Sequence, residues 1–322
     1  MILILSSATD QSTSKVIDWL AHRGVRFLRL NGEQCYLSSI LFIDPGGQMS
    51  IKLTNAKGRI VCLNDFTAFW YRRGDFFPAR PKISRYRRQV FGILAREWEK
   101  ISEAFHFYLE QKPHLGCIRQ DKNHNKIIAL LVAAEAGLSI PATLITSDKP
   151  ELLKFIEQDS AITKAVWNLF RIHGRNFFRS VGTHLVTRGH IATLEAVVAP
   201  TLVQREIPKA YELRVFILGG DCYPMAIFSQ NDPKTRLDFR NYNHECPNRG
   251  VPYLLPEDIK QKLLRFMRNM ELDTGSIDLI VTPGGEFVFL EVNPIGQFGW
   301  VSDNCNYYLE EKIASYLEKL KT

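Results

Sequence analysis

The sequence predicts a mixed α/β (α+β) fold from three observations. The chain opens with a β-α-β alternation over residues 2–30. Helical and strand patterns then follow one another through 125–207. Near the C-terminus, two β-rich runs (276–282 and 286–294) flank Pro283-Gly284-Gly285, which is a strong local hairpin signal.

The elements can be justified in order. Residues 2–5, 26–30 and 60–71 read as strands, and 14–22 as an amphipathic helix, so a small parallel sheet is expected. Residues 89–111 form a long helical pattern that ends before Pro113 and Gly116. Residues 125–137 are helical, with an apolar stripe through Ile127, Leu130, Leu131 and Ala134. A short strand over 140–146, a helix over 150–159 and a strand over 161–166 carrying Lys164 follow. Residues 168–183 are rich in Arg, Asn, Gly and His and read as a loop, with 183–188 as the return strand. Strands are expected at 202–207, 213–219 and 226–230, a loop over 231–256, and helices over 257–270 and 307–320. The expected division is 1–115, 116–198 and 199–322.

The 322 residues are 45% hydrophobic and 23% charged, an ordinary globular composition with room for two or three packed units. No apolar run approaches the ~20 residues needed to span a membrane. Met1-Ile-Leu-Ile-Leu5 lacks a charged flank and reads as a core strand rather than a signal peptide. Six scattered cysteines without a Cys-x-x-Cys pair suggest reduced thiols and a cytoplasmic setting. The net charge of +7 favours anionic partners. The densest basic run, 80–88, has neither stacking aromatics nor a recognisable module around it, so nucleic acid is not expected as a partner.

The hairpin carries the most informative residues. Asp278 sits on its first strand, opposite Leu290 or Glu291 depending on turn length. Glu291 and Asn293 are two apart and share a face. A surface ribbon with scattered acids fits poorly, because Leu279, Ile280, Val281, Phe287, Val288, Phe289 and Leu290 are too apolar. Two carboxylates and an amide oxygen on buried strands are hard ligands of the type Mg²⁺ takes beside substrate phosphates.

Cationic and polar groups upstream suit the same chemistry. Lys164 lies in an apolar strand, where it loses hydration unless an anion meets it or it snorkels from an edge. The following loop holds Arg171, Arg175, Arg179, Gly174 and Gly182, a composition suited to covering phosphates. The run Gln204-Arg-Glu206-Ile207-Pro208 ends a strand at a proline, exposing backbone groups to an adenine edge and Glu206 to a ribose hydroxyl. Glu212-Leu-Arg214 and Asp238-Phe-Arg240 each place an acid and an arginine two apart, either as surface ion pairs or as recognition of a carboxylate or transferring phosphate. Arg72 and Arg73 close a strand of the first unit.

Taken in order, these pieces resemble the ATP-grasp carboxylate–amine ligases. The order is a β-α-β unit, Asn125-Lys126, Lys164, Gln204-Arg-Glu206-Ile207, Glu212-Leu-Arg214, then Asp278 and Glu291-Val-Asn293-Pro294. Trp70-Tyr-Arg-Arg73, Pro141-Ala-Thr-Leu-Ile-Thr-Ser-Asp148, Asp238-Phe-Arg240 and Glu291-Val-Asn-Pro-Ile-Gly-Gln297-Phe-Gly-Trp300 look like the peptide-maturing branch. That branch includes microviridin-type graspetide ligases, and the similarity extends to the maturases of grasp-with-spasm peptide systems.

The resemblance implies an ATP-grasp fold of three subdomains, with ATP between the central and C-terminal sheets. It implies ATP-dependent activation of Asp or Glu side chains of a ribosomal precursor peptide. Lys amines or Ser/Thr hydroxyls would then close macrocyclic amides or esters. Lys126 and Lys164 would contact ATP phosphates, although Lys122 is a second lysine in the same segment. Gln204, Glu206, Ile207 and Asn293 would belong to the nucleotide site. Asp278, Glu291 and Asn293 would hold Mg²⁺. Arg214 and Arg240, with Lys164, would serve the reacting phosphate, and Arg73, Glu212 and Asp238 the peptide. The implied partner is a leader-bearing peptide with an acidic core, and a homodimer is compatible with the resemblance. A RimK-like or glutathione-synthetase-like ligase of free amino acids, and a non-catalytic nucleotide- or peptide-binding protein, are the competing readings.

Overall fold

The computed structural model describes residues 1–32, 35–55, 58–78, 87–166, 170–173, 178–241 and 243–321. The chain folds as two compact units, Met1–Lys122 with Gln297–Thr322, and Asn123–Gly296.

The first unit begins as its sequence predicts. Strand β1 (Ile2–Ser6), helix α1 (Gln11–His22) and strand β2 (Phe27–Asn31) form a β-α-β crossover unit, with β1 and β2 parallel. Asp10 caps α1 by accepting from the Thr13 amide at 3.2 Å, satisfying an otherwise unpaired donor. The expected strand over 60–71 is two strands, because a 3₁₀ turn at Leu63–Asp65 interrupts it. Between β2 and that turn lie strands β3 (Cys35–Ile43) and β4 (Met49–Asn55), an antiparallel pair extended by β5 (Ile60–Cys62). Strand β6 (Ala68–Tyr71) returns to pair with β1, and β7 (Phe77–Pro78) joins β3. Helix α2 (Arg87–Glu110), strand β8 (His114–Leu115) and helix α3 (Ile118–Lys122) follow. The two sheets run β2-β1-β6-β8 and β5-β4-β3-β7.

The second unit has a four-stranded sheet, a five-stranded sheet and a two-stranded ribbon, joined by helices. Helix α4 (Lys126–Glu135) is capped by Asn125, which accepts from the Ile127 and Ile128 amides. It stops where Gly137 takes φ +85°, a conformation costly for residues with a Cβ. Strand β9 (Thr143–Asp148), helix α5 (Lys149–Gln158) and strand β10 (Ala161–Thr163) come next. Lys164 therefore lies just beyond the strand end rather than inside it. The segment expected as a loop contains the antiparallel strands β11 (Phe170–His173) and β12 (Phe178–Val181). Gly174 and Arg175, the side chains of Arg171 and Arg179, residues 80–86 of the basic run, and the side chains of Arg87 and Arg88 lie outside the described residues. The return strand is short, β13 (His184–Leu185), and Arg188 opens helix α6 (Arg188–Ala192). Strand β14 (Val197–Arg205) completes a sheet ordered β13-β10-β14-β9.

The other sheet runs β17-β16-β15-β18-β19 and is antiparallel throughout. Its strands are β15 (Tyr211–Leu218), β16 (Asp221–Phe228), β17 (Arg249–Pro252), β18 (Thr274–Val281) and β19 (Phe287–Asn293), with helix α7 (Glu257–Asn269) before β18. β17 falls inside the span expected as loop. Period-2 alternation divides each strand between two environments. Leu213, Val215 and Ile217 of β15 and Ile277, Leu279 and Val281 of β18 join Ala129, Leu130 and Ala133 of α4 and Leu263, Phe266 and Met267 of α7 in one core. Phe266 and Phe289, both fully buried, meet with ring centroids 4.8 Å apart. Truncating either to Ala would cost about 3–5 kcal/mol. The opposite face carries Glu212, Arg214 and Asp278.

After β19 the chain rejoins the first unit through helices α8 (Gly299–Cys305) and α9 (Leu309–Leu320). There Arg23 pairs with Glu311 at 3.0 Å and Lys15 with Asp303 at 2.9 Å. Among the described residues, no helix is long and apolar enough to cross a membrane.

Candidate active site

A cleft within the second unit gathers most of the singled-out residues. Lys164, Gln204, Ile207, Glu212, Asp238, Arg240, Asp278 and Glu291 all line it. The hairpin brings its acids together through a β-bulge. Leu279 pairs with Phe289 and Asp278 with Glu291, so Leu290 is an extra residue in β19. Phe289 and Val292 stay in the core, while Leu290 and Glu291 both reach the cleft. In an uninterrupted ladder, Glu291 would share the core-facing side of Phe287 and Phe289. Pro283 and Gly284 turn the hairpin, and Gly285 supplies the φ of +82° that closes it.

Cations surround the two acids. Arg214 stands opposite Asp278 on the neighbouring strand, and its Nη1 donates to both carboxylate oxygens at 2.8 Å. Arg240 donates from Nη1 to Glu291 Oε1 at 2.9 Å. Lys126 extends from the first turn of α4 to within 3.5 Å of Glu291 Oε2 and donates to the Ala165 carbonyl at 3.3 Å. Lys122, the other lysine of that segment, instead holds Asp75 of the first unit at 2.6 Å.

These contacts set the protonation of the site. Burial opposes charge on Glu291, but Arg240, Lys126, Lys164 and Arg214 outweigh it and hold the carboxyl below its ordinary range. Asp278 is shifted upward, because burial and the neighbouring Glu291 charge exceed the pull of Arg214. Burial lowers Lys164 from the usual lysine value, while Glu291 and Asp278 favour its charged form. Burial likewise raises Asp238, yet hydrogen bonds from Arg240 overcome it and hold the carboxyl at about 2. Asp238 also accepts from Thr183 Oγ1 at 2.9 Å.

The remaining candidates take separate positions. Gln204 is buried and donates to Thr143 Oγ1 at 2.8 Å. Glu206 accepts from Ser160 Oγ at 2.6 Å and does not line the cleft among the described residues. Asn293 is exposed, paired with Ser276 in the ladder, and its Oδ1 accepts from the Ile295 amide at 3.0 Å. Arg73 belongs to the first unit, where its Nε lies 3.7 Å from Asp10. Lys209 was not singled out from the sequence, although the Lys-x-x-Glu spacing to Glu212 was a signal. It lines the cleft and donates to Glu212 Oε1 at 2.7 Å.

Two buried oxygens in the cleft, Gln204 Oε1 and Glu291 Oε2, accept no hydrogen bond among the described residues. Buried acceptors without donors are uncommon and mark places where a bound group completes the set. Among the described residues, no three His, Cys, Asp or Glu side chains cluster as a self-sufficient metal site. A carboxylate pair is the donor set of a hard cation that shares its shell with phosphate oxygens.

The chain's likeness to known proteins lies in solved structures. No family model matches the chain, and no curated protein does. A RiPP-associated ATP-grasp ligase from Chryseobacterium gregarium, in complex with ADP and a leader and core peptide, superposes with a TM-score of 0.85 at 25% identity, covering 99% of this chain and 95% of that one. The macrocyclase MdnC from Microcystis aeruginosa MRC, bound with precursor peptide MdnA, gives 0.81 at 26% identity, covering 99% and 100%. The macrocyclase MdnB from the same organism gives 0.74 at 25% identity, covering 98% of each chain. The fold is the ATP-grasp fold, and the resemblance to graspetide-type maturases drawn from the sequence is borne out.

Proposed function

We propose that this chain is an ATP-dependent ligase that closes macrocycles in a ribosomal precursor peptide by activating Asp or Glu side chains. The observation that carries the reading is the convergence of Lys126, Arg214 and Arg240 on Asp278 and Glu291, beside Lys164 in one cleft. Phosphoryl transfer to a carboxylate crowds anionic oxygens together, so a site for it must concentrate positive charge. The Chryseobacterium gregarium ligase in complex with ADP and a leader and core peptide, and MdnC bound with its precursor peptide, support the same reading.

The residues fit the groups this chemistry needs. Glu291 Oε2 and Asp278 would hold Mg²⁺, with Asn293 Oδ1 offering its second lone pair. Mg²⁺ supplies charge neutralisation at the phosphate oxygens. Gln204 Oε1 would accept from the adenine amino group, and Ile207 would pack against the ring. Glu206, which accepts from Ser160 Oγ outside the cleft lining, would serve a ribose hydroxyl from the end of that segment. Lys126 and Lys164 would meet the phosphates.

In the first step, a peptide carboxylate oxygen bonds to the γ-phosphorus of ATP and ADP leaves. In the second, a Lys amine or a Ser/Thr hydroxyl attacks the acyl carbon. The bond to phosphate breaks, phosphate departs, and the nucleophile's proton is released. Arg240, held between Asp238 and Glu291, is placed to steady the acyl-phosphate. Arg214 keeps Asp278 aimed at the same point. Arg73, Glu212 and Asp238 would act on the peptide. No enzyme nucleophile is needed. Burial pushes the thiols of Cys117, Cys222 and Cys305 up to about 11, which suits packing rather than catalysis. The free thiols accord with action in the cytoplasm. A homodimer is part of the same proposal, and sedimentation of the purified chain tests it.

Mass spectrometry of the enzyme with candidate precursor peptides, ATP and Mg²⁺ tests the reaction. Each ring should remove one water from the peptide while ADP and phosphate appear. ATP turnover that instead adds a free amino acid to a carboxylate would replace this reading with a RimK-like one.

A further inference from the structure

Arg240 and Asp238 sit in residues 229–248, the connection between β16 and β17. A long connection that carries site residues must be held at several points, or its side chains lose their aim. Its internal ties include Thr235 to the Ser229 carbonyl at 2.9 Å and Asn243 to Asp232 at 2.6 Å. Several side chains tie it to the rest of the second unit. Asp238 accepts from Thr183, and Arg240 reaches Glu291. Lys209 adds another tie: its Nζ donates to the Leu237 carbonyl at 3.1 Å, one residue before Asp238.

Lys209 is well placed for more than packing. It lies two residues beyond Ile207, in the segment that faces the proposed adenine site, and its side chain is 8% exposed. The same Nζ is fixed by Glu212 Oε1 at 2.7 Å, and Glu212 also accepts from Ser229 at the root of the connection. One ammonium thus joins the nucleotide segment, strand β15 and both ends of the stretch leading to Asp238. A charge-assisted bond to a carbonyl inside a buried pair is strong enough to fix that backbone position.

We propose that Lys209 is a positioning residue that couples nucleotide binding at 204–208 to the placement of Asp238 and Arg240. The proposal rests on the ATP-dependent reading of the cleft. Lys209 acts through the Leu237 carbonyl and need not touch the reacting phosphate.

Hydrogen exchange on the full-length chain, with ADP as the probe, tests it. Lys209→Met should speed amide exchange at 237–241 by at least about tenfold, as expected when a local tie is lost, while the helices keep their protection. ADP affinity by calorimetry should stay within about threefold. On a peptide the wild type dehydrates, kcat should fall about 10- to 100-fold, the scale of a misplaced catalytic group, with KM for ATP little changed. Lys209→Arg, which keeps both bonds within reach, should recover most of each loss. Unchanged exchange at 237–241, faster exchange throughout the chain, or ADP affinity falling in step with kcat would overturn the proposal. Should Lys209→Met not fold, the wild type decides. ADP should slow exchange at 237–241, and no change there would overturn the coupling. If the wild type dehydrates no peptide, the functional reading fails on its own, and exchange and ADP binding still judge Lys209.

Discussion

Asp278 stands opposite Glu291 rather than Leu290 because β19 carries one extra residue at that point. The bulge lets the chain bury Phe289 and Val292 in the core and still deliver two consecutive side chains, Leu290 and Glu291, to the cleft. It therefore reconciles an apolar strand with a carboxylate pair, at the place where Lys126 of α4, Arg214 of β15 and, from connecting segments, Lys164 and Arg240 arrive.

Arg214 and Asp278 should behave as one unit in folding. Both are under 10% exposed, and Arg214 Nη1 holds both carboxylate oxygens. Arg214→Met leaves a buried carboxylate without its partner and should cost about 3–5 kcal/mol in urea unfolding. Adding Asp278→Asn should recover part of that loss. Strict additivity of the two changes would show that the pair is not coupled.

Lys164 should matter more to the reaction than to the fold. Burial lowers its proton affinity while the nearby acids favour its charge, and on the proposed function phosphate oxygens would be its further partners. Lys164→Met should lower kcat/KM for ATP about 10²- to 10³-fold, as when one preorganised donor is removed. Steady-state kinetics with varied ATP checks this. A change under about threefold would place the transferring phosphate elsewhere.

The first unit should show a carboxylate signature in its acid stability. Asp75 accepts from Ser102, His106 at 3.1 Å and Lys122 at 2.6 Å. Burial raises its pKa, but those hydrogen bonds and the His106 charge win and hold it well below the usual range. A depressed folded pKa means stabilisation that is complete above the unfolded value, about 3.9, and is lost as pH falls toward the folded one. Asp75→Asn should therefore be less stable than wild type at neutral pH, with the gap closing below about pH 4. Urea unfolding between neutral and acid pH would refute this if the gap stayed constant.

Much of this site was legible in the chain because its signals are local. Pro283-Gly284-Gly285 and the flanking apolar runs located the hairpin, and the two-residue spacing of Glu212 and Arg214 put them on one face. The bulge was not legible, since Leu290 has no feature that marks it as extra, and the register was left open between two partners. The sequence places Lys164 inside a strand because the apolar pattern continues past Thr163, where the ladder ends. Lys209 escaped notice because one of its partners is a backbone carbonyl 28 residues away, which no side-chain pattern records. The β3–β4 pair was missed although Asp44-Pro-Gly-Gly47 is a turn signal and Ile51 and Leu53 alternate. The return of α8 and α9 to the first unit depends on long-range packing that local periodicity does not encode.

The central claim is that the Asp278–Glu291 pair holds a divalent cation beside a nucleotide. Electron paramagnetic resonance of Mn²⁺ titrated into the full-length chain with ADP measures this without any peptide. Wild type should bind Mn²⁺ in an ADP-dependent manner. Glu291→Gln should weaken that binding at least about tenfold, close to 1.4 kcal/mol, while ADP affinity without metal changes little. Equal Mn²⁺ affinity in wild type and Glu291→Gln would contradict the account.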